Sequence, residues 1–366
     1  MNILADQFLY RIRDFSPDGC KCTLFDPADG FPKYASSFDA LLIRTVTKIN
    51  HETLPFGGNL KFIGTATAGF DHIDRTHLNN LGIAFARSEG CNSNAVGEYV
   101  LTSLLKWAES NRQSINKLRI GIVGCGYTGT AVNYYLKKIG FETVLYDPPK
   151  AGRIPAFKSA PLEQLLDCNV LTFHTPLTTS GKNKTLHLCG KEWLDNGFKL
   201  IINSARGGVV DENALLNAKE HGTVDDFILD VWENEPDFLD EAAKQAFIAT
   251  PHIAGYSREA KFRASEIVIA KLCKFFGLKR SAVKFDAAPP DVKQPKEKTF
   301  ASFLWENHQI SLYHRGLREL IGLSSELKSS QFATLRSQTE TRFEFASILK
   351  KSSENIGFPK EAEIFL

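Results

Sequence analysis

Three segments in the second half of the chain carry side chains able to move protons and grip anions. They are Asn203-Ser204-Ala205-Arg206-Gly207-Gly208, Asp230-Val231-Trp232-Glu233-Asn234-Glu235-Pro236 and Thr250-Pro251-His252-Ile253-Ala254-Gly255-Tyr256. An imidazole titrates near neutral pH, so His252 is the candidate general base, acting as acid in reverse. Glu235 is the candidate to orient that ring and stabilise its protonated form, as an opposite charge within hydrogen-bond reach does. Arg206 offers a planar fork that holds a carboxylate by two parallel bonds and polarises a neighbouring oxygen, which a lysine does not. Singly, each has an ordinary alternative: a surface arginine, a loop acid before proline, a structural histidine. Their order and their shared place just after short apolar runs favour a joint role.

A fourth segment points to a dinucleotide. Arg119-Ile120-Gly121-Ile122-Val123 reads as a strand. Gly124-x-Gly126-x-x-Gly129 follows, and then a helix that runs to Ile139 and stops at Gly140. The glycine pattern alone is weak. Its strand-to-helix context, and Asp147 at the end of the next strand, make it a nucleotide-binding fingerprint. Gly124 permits the tight turn, Gly126 lets backbone approach a pyrophosphate, and Gly129 lets helix and strand pack closely. The helix N-terminus favours phosphate. Asp147 suits ribose hydroxyls and repels a 2′-phosphate, which favours NAD over NADP even with Lys150 and Arg153 nearby.

The elements that must position these groups follow from the hydrophobic pattern. Strands are expected at 40–43, 61–64, 119–123, 143–146, 170–173, 200–202, 227–229 and 247–249, alternating with amphipathic stretches. A helix is expected to begin near Asn94. Ala264, Ile267, Val268, Leu272 and Phe275 share one face of another between 257 and 278. The residues just after the strands are Gly124, Asp147, His174, Asn203 leading to Arg206, Asp230, and Thr250 leading to His252. In an open parallel sheet, ligands bind beyond the carboxyl ends of the strands. Gly64-Thr65-Ala66-Thr67-Ala68-Gly69 places small residues between glycines, which lets N–H groups face an anion. Arg44 and Lys48 are phosphate candidates on charge alone. His174 reads as a loop-structural group and Glu98 as a capping or interdomain one. Asp71 and Asp74 flank His72, but no second ligand cluster points to a metal.

The fingerprint followed by Arg206, Glu235 before proline, and His252, in that order, resembles the D-isomer-specific 2-hydroxyacid dehydrogenase family. A narrower likeness, to a branch acting on a phosphorylated 2-hydroxy acid, rests on further motifs. These are Arg44-Thr45-Val46-Thr47-Lys48-Ile49-Asn50, Phe62-Ile63-Gly64-Thr65-Ala66-Thr67-Ala68-Gly69, Gly90-Cys91-Asn92, Asp147-Pro148-Pro149 and Phe173-His174-Thr175-Pro176-Leu177, with Asp230-Val231-Trp232 and His252-Ile253-Ala254-Gly255-Tyr256. The resemblance implies NAD-dependent oxidation of 4-phospho-D-erythronate on the route to pyridoxal 5′-phosphate. It places Tyr127, Thr128, Thr175, Asp230 and Gly255 in the cofactor site, and Thr45, Thr67 and Tyr256 against substrate. It also implies three parts. A doubly wound Rossmann nucleotide domain spans 94–256. A discontinuous flavodoxin-like substrate domain is made of 1–93 plus 257–285. After a proline-rich linker at 286–298, a small α+β dimerisation domain spans 299–366, where Leu335-Arg336 and Arg342-Phe343-Glu344-Phe345 extend the likeness. The rivals are a sibling dehydrogenase acting on 3-phosphoglycerate, glycerate or glyoxylate, and a non-enzymatic NADH-sensing adaptor.

Composition narrows the classes. The 366 residues are 43% hydrophobic and 23% charged, which excludes a disordered chain. Net charge is 44 − 42 = +2, so neither nucleic acid nor a membrane surface is an expected partner. No apolar run approaches the roughly 18 residues of a membrane span. The opening Met1-Asn2-Ile3-Leu4-Ala5-Asp6 meets an acid before a signal core forms, and a cytoplasmic address is expected. Seven cysteines without a C-x-x-C pair read as reduced thiols serving as small apolar residues.

Overall fold

The computed structural model describes residues 1–295, 297, 299–338, 342–355 and 365. The chain divides into two compact units, Met1–Asn92 with Arg258–Ala287, and Ser93–Ser257 with Ala288–Leu366.

The first unit is built on five parallel strands, β1 (Asn2–Asp6), β2 (Lys21–Phe25), β3 (Ala40–Ile43), β4 (Phe62–Thr65) and β5 (Ala84–Arg87). Their order is β2-β1-β3-β4-β5, the flavodoxin-like arrangement. β3 is apolar throughout because both of its faces are covered. Ala40 and Leu42 pack with Ile3, Ala5 and Phe62, while Leu41 and Ile43 pack with Leu4 and Ile63 on the other side. Helix Arg258–Phe276 returns to the first of these faces through Phe262, Val268, Ile269 and Leu272. Gly64 seats it, since a Cβ there would lie 2.5 Å from Val268 Cγ2. β1, β2 and β5 lie outside the set of strands expected from sequence. β2 and β5 are the edges of the sheet and only partly buried, so neither shows a continuous apolar run.

The second unit holds six parallel strands, β6 (Arg119–Val123), β7 (Glu142–Tyr146), β8 (Val170–Phe173), β9 (Phe198–Asn203), β10 (Val224–Leu229) and β11 (Ile248–Ala249). Their order is β11-β10-β9-β8-β6-β7. From β6 the chain steps outward to β7, then crosses back to β8 and continues the other way. The direction therefore reverses between β6 and β8, where a crevice opens at the carboxyl ends. Helix Ser93–Ser110 packs on helix Tyr127–Ile139 so closely that a Cβ on Gly97 would lie 2.5 Å from the Tyr135 ring.

The C-terminal segment belongs to this second unit. Helices Phe300–Asn307, Ile310–Arg318, Ser325–Ser337 and Phe345–Asn355 form it among the described residues. Leu317, Leu320 and Phe332 enter the same core as Phe227, Trp232 and Phe238. The strands implied for an α+β domain at 299–366 have no counterpart among the described residues. Residues 339–341, 356–364 and 366 of that span lie outside the described residues, as do 296 and 298 of the expected linker. Among the described residues, no helix is long and apolar enough to cross a membrane.

Candidate active site

The nucleotide turn is shaped by three glycines with three different constraints. Gly124 follows β6 with φ 86°, the left-handed region that glycine tolerates. A Cβ on it would lie 2.9 Å from the His174 carbonyl and from Thr175 Cγ2, so the turn after β6 rests on the loop after β8. A Cβ on Gly129 would lie 2.0 Å from the Gly124 carbonyl oxygen, which seats the helix directly on the turn. Gly126 differs: no heavy atom lies within 4 Å of its Cβ position, so its backbone is open to a ligand. Gly126 is also the N-cap of helix Tyr127–Ile139 and supplies no side-chain cap, leaving the N–H groups of the first turn, from Tyr127 and Thr128 on, directed outward.

Asp147 ends β7 beside this turn. One carboxylate oxygen accepts from the Cys125 N–H at 2.8 Å and the other from the Lys150 N–H at 2.9 Å. Each oxygen keeps a lone pair for a ribose hydroxyl. Lys150 Nζ donates to the Cys125 carbonyl at 2.5 Å and lies 4.5 Å above the Phe157 ring. Thr175 Oγ1 is buried without a hydrogen-bond partner, the kind of orphan that a ligand satisfies. An open glycine backbone, an uncapped helix end and this hydroxyl fit a dinucleotide whose pyrophosphate lies on the turn.

The loops after β9, β10 and β11 are bonded to one another. His252 Nδ1 lies 2.7 Å from Glu235 Oε2, with side chains 31% and 22% exposed. The other Glu235 oxygen accepts from the Trp232 N–H at 2.9 Å. Burial pushes the Glu235 carboxyl up. The charge and hydrogen bond of His252, the Trp232 N–H and the charge of Arg336 outweigh it and hold the group below its ordinary 4.5. Glu235 is thus ionised at neutral pH. His252 adopts φ 56°, a strained conformation for a residue with a side chain. Its N–H is anchored to the carbonyls of Asp230 at 2.7 Å and Thr250 at 3.0 Å.

Asp230, expected at the cofactor, is a buried anchor of this loop. Its carboxylate accepts from Thr250 Oγ1 at 2.6 Å and from the Ile253 and Ala254 N–H groups at 2.8 Å each. Burial lifts its carboxyl above the ordinary 3.8 even though His252, Thr250 and the two N–H groups pull the other way. Arg206 is held from behind. Asn203 Nδ2 donates to the Arg206 carbonyl at 3.0 Å, and the guanidinium donates to the Ala205 carbonyl at 2.7 Å. Gly207 then passes so close to the next loop that a Cβ would lie 1.7 Å from the Trp232 carbonyl oxygen. The loops bearing Arg206 and Glu235 therefore touch backbone to backbone. Tyr256 Oη accepts from Arg336 at 2.6 Å, and Gly255 beside it is half-buried.

The remaining candidates are placed as follows. His174 bonds to Thr172 Oγ1 at 3.0 Å, and burial lowers it to about 3, so it is neutral. In the first unit, Thr45 is exposed after β3. Thr67 Oγ1, after β4, donates to the Gly69 carbonyl at 2.8 Å and contacts Thr65 Oγ1 at 2.7 Å. Arg44 pairs through Nε with the buried Asp6 at 2.7 Å, and Lys48 is exposed. Glu98 is buried, accepting from Tyr135 Oη and the Phe345 N–H at 2.9 Å each.

Two arginines of the C-terminal segment were not read as site residues from sequence. Arg342 is fully buried. It donates to the carbonyls of Ile253, Ala254 and Tyr256, the last two at 3.0 and 2.8 Å, and to that of Ala95 at 3.1 Å. Alternation of charge and phenylalanine in Arg342-Phe343-Glu344-Phe345 would place the charges outward, so the burial of Arg342 comes from contacts distant in sequence. Arg336 carries no local signal either.

Comparisons with known proteins agree with this geometry. Residues 98–254 match the family model described as D-isomer specific 2-hydroxyacid dehydrogenase, NAD binding domain. The chain is 33% identical to the erythronate-4-phosphate dehydrogenase of Psychromonas ingrahamii, over 96% of this chain and 93% of that one. It is 36% identical to the protein of that name from Pseudoalteromonas translucida, over 95% and 94%. Among solved structures, a protein of Thermus thermophilus is 25% identical with a TM-score of 0.63, covering 76% of this chain and 97% of its own. The NAD+-bound 3-phosphoglycerate dehydrogenase of Entamoeba histolytica, 24% identical with a TM-score of 0.61, covers 76% and 95% and shares the fold. The nucleotide turn, the paired imidazole and carboxylate, and identity sustained over nearly the whole length place this chain in the erythronate-4-phosphate dehydrogenase branch of the D-isomer-specific 2-hydroxyacid dehydrogenase family, as an NAD-dependent dehydrogenase.

Proposed function

We propose that the chain oxidises 4-phospho-D-erythronate at C2 to 2-oxo-3-hydroxy-4-phosphobutanoate, a step toward pyridoxal 5′-phosphate. The observation that carries this reading is the 2.7 Å bond between Glu235 and His252 Nδ1 on the same sheet edge as the nucleotide turn. With Nδ1–H donated to the carboxylate, Nε2 is the ring atom that takes the proton of the C2 hydroxyl. Glu235, already ionised, steadies the imidazolium that results. Arg206 grips the substrate carboxylate and stabilises the C2 oxygen as it becomes a carbonyl. Bound NAD supplies the ring that accepts the C2 hydride. Asp230 and Thr250 keep His252 in its strained conformation through the bonds that lock its loop.

The test is NADH formation followed by absorbance with 4-phospho-D-erythronate against D-3-phosphoglycerate and D-glycerate. A kcat/KM about tenfold or more higher for the first is expected, since the hydroxyl or phosphate contact that each competitor lacks is worth on the order of 1–3 kcal/mol. A preference for either of the others assigns the chain to a sibling activity. Tight NADH binding without turnover of any 2-hydroxy acid makes it an adaptor.

We further propose a cytoplasmic homodimer using the C-terminal segment. The exposed Leu312 and Leu327 on its helices support a contact there, and seven cysteines without a disulfide suit a reducing compartment. Sedimentation of the full chain tests the dimer.

A further inference from the structure

We propose that Arg336, on the C-terminal helix Ser325–Ser337, is a specificity-determining residue that receives the substrate phosphate together with the hydroxyl of Tyr256. This rests on the reading above that the substrate is a phosphorylated 2-hydroxy acid.

Arg336 Nη2 donates to Tyr256 Oη at 2.6 Å, and its guanidinium carbon lies 5.3 Å above the phenol ring. Tyr256 stands on the loop that carries His252, and Arg342 fixes its carbonyl at 2.8 Å. The charge of Arg336 also acts on Glu235, helping to hold its carboxyl below the ordinary range. A phenol oxygen that accepts from a guanidinium directs its own O–H elsewhere, as a donor. N–H and O–H donors side by side, with one positive charge, suit a phosphate oxygen pair.

Charge balance supports a second guanidinium. The proposed substrate carries a carboxylate and a phosphate of about −1.5 to −2 charge near neutral pH. Arg206 answers the carboxylate, and the phosphate calls for another cation.

The test uses the full chain carrying Arg336→Gln, Arg336→Lys, Tyr256→Phe, Arg44→Gln or Lys48→Gln, with kcat and KM measured for 4-phospho-D-erythronate and D-erythronate. Wild-type turnover of the phosphorylated compound is measured first. Its failure refutes the substrate reading, and this inference falls with it. If it succeeds, Arg336→Gln should lower the ratio of kcat/KM, phosphorylated over unphosphorylated, by about 10- to 100-fold, the range for a lost charged hydrogen bond. Most of the change should fall in KM. Arg336→Lys should recover part of it, and Tyr256→Phe, which keeps the ring, should lower the ratio by about three- to tenfold. A structural role alone lowers both substrates equally and leaves the ratio unchanged, which overturns the proposal. Loss of discrimination confined to Arg44→Gln or Lys48→Gln overturns it as well. If Arg336→Gln does not fold, the Arg336→Lys and Tyr256→Phe ratios decide by the same rule.

Discussion

Gly207→Ala is the sharpest perturbation of the proposed active site, because it adds one methyl group and no charge. A Cβ at this position would lie 1.7 Å from the Trp232 carbonyl oxygen, 2.2 Å from its carbonyl carbon and 2.8 Å from the Glu233 nitrogen. All three are backbone atoms, so no side chain can swing aside. Real Cβ contacts essentially never fall below 3.0 Å, so the two loops must separate by at least 3.0 − 1.7 = 1.3 Å. One loop carries Arg206 and the other leads into Glu235. A misplacement of about 1 Å in such a constellation costs on the order of 10²-fold in rate. The expected result is a kcat/KM lower by about 10²-fold or more, read from NADH formation under initial-rate conditions. NAD affinity, from fluorescence titration, should stay within a few-fold, since the Gly124–Gly129 turn is not touched. A Gly207→Ala enzyme within about threefold of wild type would refute the argument that contact between these loops sets the geometry of Arg206.

Three further outcomes are expected. His252→Ala should lower kcat by about 10²–10⁴-fold with NAD binding intact, and an unchanged kcat removes His252 from proton transfer. Glu212 tests pH linkage. Burial lifts its carboxyl from 4.5 to about 7, with the Glu233 N–H opposing and the charges of Glu233, Glu235 and Asp211 adding. Between those values the native state holds a proton that the unfolded chain has released, so stability falls as pH rises through the window, by up to about 3 kcal/mol. Glu212→Gln removes that slope, and its melting temperature should gain on wild type between about pH 5 and pH 8; a constant difference contradicts the linkage. Arg342→Met leaves the carbonyls of Ile253, Ala254 and Tyr256 without their donor, and a loss of about 3 kcal/mol or more is expected in denaturant unfolding. A midpoint equal to wild type would mean that solvent replaces the guanidinium.

Local chemistry explains which parts of the fold were legible in the sequence. β6 and the helix ending at Ile139 appear within their expected bounds because glycines mark both ends: Gly124 closes the strand, and Gly140, at φ 95°, caps the helix. β3, buried on both faces, announced itself as an unbroken apolar run, and β8 as one interrupted only by the buried Thr172. The edge strands β2 and β5 did not, because partial exposure admits Lys21, Thr23 and Arg87. The Glu235–His252 pair was readable because each residue follows a strand end and both ends share one edge. Other contributions depended on contacts across long sequence separations. Nothing near Tyr99 signals that its hydroxyl meets Thr250 Oγ1 at 2.7 Å and completes the anchor under Asp230. Asp147 was legible as an acid beside the turn, but not as the acceptor of the Cys125 N–H that shapes the turn itself.

The C-terminal segment bears on catalysis by a route separate from any dimer contact. His252 sits in a strained backbone conformation that neighbouring structure must impose. Asp230 holds the following residues by their N–H groups, and Arg342 holds the same residues by their carbonyls. The loop is thus gripped through both of its backbone polarities, by a buried anion and a buried cation. Each charge eases the burial of the other across the loop. Glu98, a second buried acid, accepts from the Phe345 N–H, so the segment is also tied to helix Ser93–Ser110. Removing 287–366 would strip the loop of its cation, open the core where Leu317, Leu320 and Phe332 pack, and expose Asp230 and Glu98 to solvent. Activity toward phosphorylated and unphosphorylated substrates would then fall together. That joint loss differs from the selective loss expected of Arg336→Gln, so the two variants separate what the segment does for the catalytic loop from what one of its arginines does for substrate choice.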